Sequence, residues 1–388
     1  MILILLFFVL LLALAVRWGG GEDWEWKKAN KKIDKKIDFE PLYSRKIDPD
    51  QHQQEQFFGR HYREMLALKS GQRKLLFSEL EFYTAKIPHG EPAVVVYAGA
   101  ASGIHSTFFG EYFPNVQFHF YDMNKFSEDL KDYSNIHLYA QYFTLADAAK
   151  WAPIQESNRF LFLSDIRTAE DEAAVDSDME MQKAWCEIIF KNYRSGNAAM
   201  LKFRLRWEPP GVQKYFDGEI YTQPRIGPSS TETRLWTDCQ RFRDWDTDAY
   251  NNSIFFFQRH QRIAFHEIQN ASAFSEIKGL DHCNDCWSEL KICKDFLNYS
   301  GEDSDDGSRR QHAELQSYND EAVCELMKKI SQHSKSTLDV PPHNLLCNER
   351  DINKRITLLE KITDIYVNGL NTKAHENKQL DKKNTAGF

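Results

Sequence analysis

Short apolar runs of strand length recur through the middle of this chain: 93–98 (AVVVYA), 117–121 (QFHFY), 136–139, 159–164 (RFLFLS) and 198–203 (AAMLKF). Stretches with helical patterning, such as 178–194, separate some of them. Strands alternating with helices pack as a mostly parallel sheet, because each crossover lays its helix on a sheet face. The pattern predicts an α/β fold, doubly wound, with helices on both faces. SIFFFQRH at 253–260 reads as a late strand that closes the sheet antiparallel. Residues 57–86 read as helical, and polar helices take over after about residue 265, interrupted by the loop-like GEDSDDGSRR at 301–310. With 388 residues the chain has room for one large domain and extensions. The expected organisation is a hydrophobic segment at 1–18, a polar linker at 19–56, the α/β domain at 57–264, a helical extension at 265–371 and a disordered tail at 372–388.

Met1–Val16 is entirely apolar. Such a run spans about 24 Å as a helix, slightly short of a hydrocarbon core of about 30 Å. Trp18, Trp24 and Trp26 extend it as an interfacial belt, and no basic residue precedes it as one would in a signal peptide. Lys27, Lys28, Lys31, Lys32, Lys35 and Lys36 follow, so the positive-inside bias predicts a membrane anchor with the bulk of the chain cytosolic. A cleaved signal or a misplaced start are the alternatives. In a cytosolic domain the N-x-S/T sequons at Asn251, Asn270 and Asn298 are chance matches. KKIDKKID at 31–38 reads as solvated linker.

Net charge is −8, which excludes a globally basic nucleic-acid coat; any RNA contact needs a local patch. Seven irregularly spaced cysteines argue for a reducing compartment. Cys283-x-x-Cys286, with His282 before it and Cys293 after, has one half of a zinc site, but a CxxC in an aromatic-flanked helix is more often packing.

The segment VVVYAGAASGIH (94–105) places Gly99 and Gly103 in a turn after a strand, and FHFY then ends in Asp122. A glycine turn lets backbone approach a ligand, and an acid at the tip of the next strand accepts ribose hydroxyls. A plain strand–turn–helix junction produces the glycines alone; Asp122 adds the argument for an adenosine-bearing cofactor. No G-x-x-x-x-G-K-[ST] occurs.

Four further segments carry charged residues: GQRKLL with Lys74, SDIR with Asp165, LKFR with Lys202 and ETRL with Glu232. By residue type and order, over about residues 57–262, they resemble the poxvirus-type cap-specific mRNA 2′-O-methyltransferases. Members of that family also serve as poly(A) polymerase regulatory subunits, and relatives occur in other large DNA viruses. The resemblance implies a Rossmann-like methyltransferase sheet and a catalytic tetrad of Lys74, Asp165, Lys202 and Glu232. It implies S-adenosylmethionine as cofactor, held around Gln72, Leu75, Gly99, Gly103, His105, Asp122, Phe143, Asp165 and Ile166. His105 also reads simply as a helix-start residue. Where the family's cofactor loop carries proline before its second glycine, this chain has Ser102.

A ribose hydroxyl is a poor nucleophile at neutral pH, whereas a sulfonium methyl is already electrophilic. Lys202 is expected to take the proton or hold the developing alkoxide, and neighbouring positive charge would lower its pKa for that task. Asp165 and Glu232 would orient the amines. Cap recognition exploits the cationic 7-methylguanine against aromatic faces. Tyr62, with Phe57 and Phe58 as alternatives, and Trp207 are the expected stacking residues, with Glu208 reading the base edge. Trp207 also reads as an ordinary buried tryptophan. The family's further acid falls near Asn251, where Asp248 is the nearby substitute. Arg204, Arg206, Arg225 and Arg234 are candidates for transcript phosphates, or else for salt bridges inside the domain.

The expected partners are capped mRNA and a poly(A) polymerase catalytic subunit; the expected location is host cytoplasm or virion, tethered through residues 1–16. The rival readings are a structured-RNA 2′-O-methyltransferase, a catalytically idle RNA-binding or polymerase-processivity subunit on the same fold, and a membrane-tethered assembly protein.

Overall fold

The computed structural model describes residues 42–55, 71–169, 171–226, 230–277, 280, 282–300, 320–335, 350–351 and 354–355. Its strands are β1 (Lys46–Ile47), β2 (Ala93–Ala98), β3 (Val116–Tyr121), β4 (Ile136–Tyr139), β5 (Phe160–Ser164), β6 (Ala198–Phe203), β7 (Val212–Phe216), β8 (Glu219–Tyr221), β9 (Thr233–Thr237) and β10 (Phe242–Asp246). The helices are α1 (Gly71–Lys86), α2 (Thr107–Tyr112), α3 (Leu145–Ser157), α4 (Glu172–Ile189), α5 (Thr247–Phe256), α6 (Asn284–Ser300) and α7 (Asp320–His333).

Eight strands form one sheet in the order β1-β8-β9-β6-β5-β2-β3-β4, and β10 pairs with β7 as a separate ribbon. Neighbours from β4 to β6 are parallel, whereas β9 runs antiparallel to both β6 and β8. The fold is therefore the mostly parallel, doubly wound α/β sheet that the strand spacing predicts. From β2 the chain winds outward through β3 and β4, then returns to the other side of β2 as β5. That reversal opens a crevice at the carboxyl ends of β2 and β5, where such sheets bind ligands.

Why the strand runs are continuously apolar is visible in their packing. Val95 and Tyr97 of β2, Leu161 and Leu163 of β5, and Ala198 and Met200 of β6 enter one core with side chains of α1, α2, α6 and α7. Val96, Ala98, Phe160, Phe162, Ala199 and Leu201 enter the opposite core with α3, α4 and α5. Alternate residues point to opposite faces, and both faces are covered, so neither parity can be polar. Full burial of each large apolar side chain contributes about 1.5–3 kcal/mol. Tyr83 of α1, edge-on to Phe109 at 4.9 Å, anchors α1 to α2.

Residues 253–260 are not a strand. Asp246 caps a helix by accepting from Asp248 N and Ala249 N, both at 2.9 Å. That helix, α5, continues to Phe256 and passes into a wider turn at Phe257–Gln261. Tyr250, Ile254 and Phe257 fall at helical spacing on the core. An apolar run of this length suits either state, and the aspartate cap upstream decides it. Among the described residues no helix is long and apolar enough to cross a membrane; residues 1–16, where the anchor is expected, lie outside them.

Candidate functional site

The turn after β2 is built on glycine geometry. Gly99 has φ 84° and Gly103 φ 66°, the left-handed region. A Cβ on Gly99 would stand 3.0 Å from both Asp165 C and Ile166 N, so the turn can cross the end of β5 only as glycine. Gly99 N–H donates to Tyr121 O at 2.9 Å, tying the turn to β3. Asp122, just past β3, accepts from Ala101 N at 3.0 Å through Oδ2, and from Asn124 N and Nδ2 at 2.8 and 3.0 Å through Oδ1. A carboxylate has about four acceptor positions, so Oδ2 keeps capacity for a ribose hydroxyl. Gly99→Ala is expected to destabilise by about 1–2 kcal/mol from the left-handed backbone alone, and by more from the contact with β5. The readout is a lower urea midpoint at unchanged slope, and an unchanged midpoint would refute the close-approach argument.

Beside this turn lies a cluster of opposite charges. Asp165 follows β5, Lys202 sits near the end of β6, Glu232 immediately precedes β9, and Arg234 is directly opposite Lys202 in the β6–β9 register. Lys202 Nζ is 3.2 Å from Asp165 Oδ1 and 3.6 Å from Glu232 Oε2. Arg234 Nη2 reaches Asp165 Oδ1 at 2.7 Å, and Arg167 Nη2 reaches Glu232 Oε2 at 3.3 Å. Arg167 in turn lies 3.7 Å from Asp178, whose carboxylate holds Thr168 N at 2.9 Å. Lys74, carried by α1 over the same sheet end, belongs to the cluster electrostatically.

Titration follows from that arrangement. Burial lowers the Lys74 amine below its ordinary value; Glu232 and Asp165 oppose the shift, and Arg234 and Lys202 add to it. Burial would raise the Asp165 carboxyl, but Arg234, Lys202 and Lys74 hold it well below the usual carboxylate range. Glu232 is depressed as well, with Lys202 and Arg234 outweighing burial and the repulsion of Asp165. Both carboxylates are thus ionised anchors at neutral pH. Around them the site can hold an amine at a fixed point beside a ligand in the β2 turn.

The other expected residues divide. Gln72 Oε1 is 2.6 Å from His105 Nδ1, and His105 Nε2 is 3.0 Å from Glu79, so α1 and the turn after Gly103 are bonded together. Leu75 is buried, and Ile166 is half-buried and packed against the core beneath α3, α4 and α5. Phe143 is buried against Tyr121, Phe162 and Trp185. Trp207 is half-buried, with the Arg204 guanidinium 4.2 Å over its ring and its Nε1 donating to Thr231 at 3.0 Å. Arg204 is buried and paired with Glu172 at 2.6 Å. Arg204 and Arg234 therefore organise neighbouring groups, while Arg206 is half-buried and Glu208 exposed. Asn251 is buried, donating to Arg206 O and Thr247 O, and Asp248 is exposed in the first turn of α5. Arg225 lies away from this cluster, its Nε donating to Glu289 at 2.7 Å. Tyr62, Phe57 and Phe58 fall outside the described residues.

The pivotal role of Arg234 in the cluster is legible only as its position two residues after Glu232. Arg167, following Asp165 by two, had the same weak signal. Cys283 and Cys286 are buried in the apolar core, and among the described residues no group of three or more metal-ligating side chains occurs. The six described cysteines are all buried.

None of the curated proteins compared matches the chain. A family profile does match, over residues 41–270, and its description is Poly A polymerase regulatory subunit. That span takes in the crevice, the glycine turn and every residue of the charged cluster. The chain belongs to the poly(A) polymerase regulatory subunit family.

Proposed function

We propose that this protein is an S-adenosylmethionine-dependent methyltransferase acting on the ribose 2′-hydroxyl of the first transcribed nucleotide of capped viral mRNA. The observation that carries the reading is Lys202 held by two carboxylates, Asp165 at 3.2 Å and Glu232 at 3.6 Å, beside the glycine turn of the switch point. A turn fixed by Gly99 and an acid at Asp122 with spare acceptor capacity fit an adenosine-bearing ligand. That cofactor, when bound, supplies a methyl group on a positively charged sulfur.

The chain's own residues supply placement and proton handling. Asp165 and Glu232 restrict the Lys202 amine to one position, which converts a floppy side chain into a fixed proton acceptor or hydrogen-bond donor. The proton of the 2′-hydroxyl passes to that amine, or the amine stabilises the oxygen as charge develops on it. The nucleic acid would thereby exchange one hydroxyl proton, taken up at the Lys202 amine or released to water, for the methyl that the bound cofactor would supply. Lys74 adds positive potential from the α1 side. Arg234 and Arg167 keep both carboxylates ionised and in place. Arg206, beside Trp207, is left as the arginine for the transcript backbone, and Trp207 with Glu208 for the cap. Family membership supports a polymerase subunit as partner.

The test is transfer of labelled methyl from S-adenosylmethionine to short RNAs that are m7GpppN-capped, GpppN-capped or uncapped. Label at the 2′-oxygen that requires the 7-methyl cap is the expected result. Transfer to structured RNA without a cap would move the assignment to that substrate. RNA binding without any transfer would make the protein a binding subunit.

A further inference from the structure

The family match ends at residue 270, yet α6 and α7 lie beyond it and pack on the same sheet face as α1. Their contact with α1 is not only apolar. Glu289 of α6, 0% exposed, receives Arg73 through Nε at 3.0 Å and Nη2 at 2.9 Å, and Arg225 through Nε at 2.7 Å. Arg73 also donates from Nη1 to Ser331 of α7 at 2.9 Å. Burial would raise the Glu289 carboxyl, but Arg225 and Arg73 together hold it down to about 2. A two-pronged pair between buried ions fixes orientation as well as distance, because both bonds weaken if either partner turns.

Arg73 is the residue before Lys74. Lys202 is located by its own ion pairs, but among the described residues the Lys74 amine has no ion pair within hydrogen-bonding reach. Its position rests on the helix that carries it. Successive helix residues point about 100° apart, so Arg73 can anchor α1 to the extension while Lys74 faces the crevice. Other bonds hold the same helix: Glu79 to His105, and Glu81 to Arg45. The end of α7 reaches the segment after the glycine turn as well, through His333 to Thr107 at 2.8 Å, and Lys335 just beyond it reaches Asp129 between β3 and β4 at 2.9 Å.

We propose that Glu289 is a positioning residue: through Arg73 it sets the rotation and depth of α1, and so the place of Lys74 beside Asp165 and Glu232. The helices after residue 270 are then part of the working site. The role in catalysis rests on the methyltransferase reading above; the clamp on Lys74 does not.

The experiment uses the full chain and Glu289→Gln, which keeps shape and removes charge, with folding checked by circular dichroism. Amine labelling with methyl acetimidate, followed residue by residue by mass spectrometry, reports the surroundings of Lys74 and Lys202 without any methyl transfer. The expected result is a severalfold change in the Lys74 labelling rate with Lys202 unchanged. Turnover at saturating substrates is expected to fall about 10–100-fold with KM held, as for a misplaced group. Unchanged Lys74 labelling in the folded variant overturns the proposal. If the wild-type chain transfers no methyl, the functional reading fails, while a labelling change confined to Lys74 upholds the clamp. Should Glu289→Gln not fold, Arg73→Lys retains charge without the two-pronged geometry and carries the same readout. Loss of folding in both variants would assign the pair to fold stability and overturn the positioning role.

Discussion

Lys202→Ala is expected to lower methyl transfer to capped RNA by about 10²–10⁴-fold, the usual contribution of a positioned proton-transfer group. Cofactor binding is expected to survive, because the glycine turn and Asp122 make no contact through the Lys202 amine. Two measurements separate the possibilities: single-turnover transfer at saturating cofactor and RNA, and cofactor binding by calorimetry. Lys202→Arg should recover little. An arginine keeps the charge but stays protonated and places a planar fork where a single amine fits between Asp165 and Glu232. Transfer within tenfold of wild type in the alanine variant would remove Lys202 from the chemistry. Removing this lysine also leaves two carboxylates with less compensating charge, so urea denaturation must accompany the rates.

Arg234→Met is expected to destabilise the fold by about 3–5 kcal/mol, the usual consequence of deleting one partner from a buried ion pair. Arg234 is buried, and Asp165 and Glu232 raise its pKa far above the ordinary value despite the cost of burial. Its removal leaves Asp165 with the lysines alone. The acid limb carries a second signature. Asp165 and Glu232 both titrate below their ordinary values in the folded chain. Their contribution is therefore present above the unfolded carboxylate range, about pH 4, and is lost as the pH falls toward the folded values. Wild-type stability should decline through that window, and Arg234→Met should start lower and decline less. Urea midpoints measured from pH 7 down to pH 3 decide it, and parallel curves for the two proteins would contradict the assigned ion pairs.

The strand segments were legible because a parallel sheet covered on both faces leaves no polar parity: AVVVYA and AAMLKF match β2 and β6 residue for residue. The same signal misled at SIFFFQRH, where a buried helix shows an equally dense apolar run and only the Asp246 cap distinguishes it. The residues of the charged cluster were legible as four separate segments with Lys74, Asp165, Lys202 and Glu232. Their arrangement was not, since an arginine looks the same in sequence whether it meets phosphate or carboxylate. Arg204, Arg225 and Arg234 all turned out buried against acids.

What the amino-acid order determined by itself is therefore local. Apolar periodicity sets the strands, glycines with positive φ set the turn, and short-range caps set the helix starts; each is a matter of a few neighbouring residues. Only the tertiary structure decided which strand stands beside which, that Arg234 faces Lys202 across β6 and β9, and that Glu289 reaches Arg73 over 216 residues of chain. The reason is physical. An ion pair is chosen by burial and by competing charges, and neither exists until the sheet has closed and excluded water from both ends of the pair.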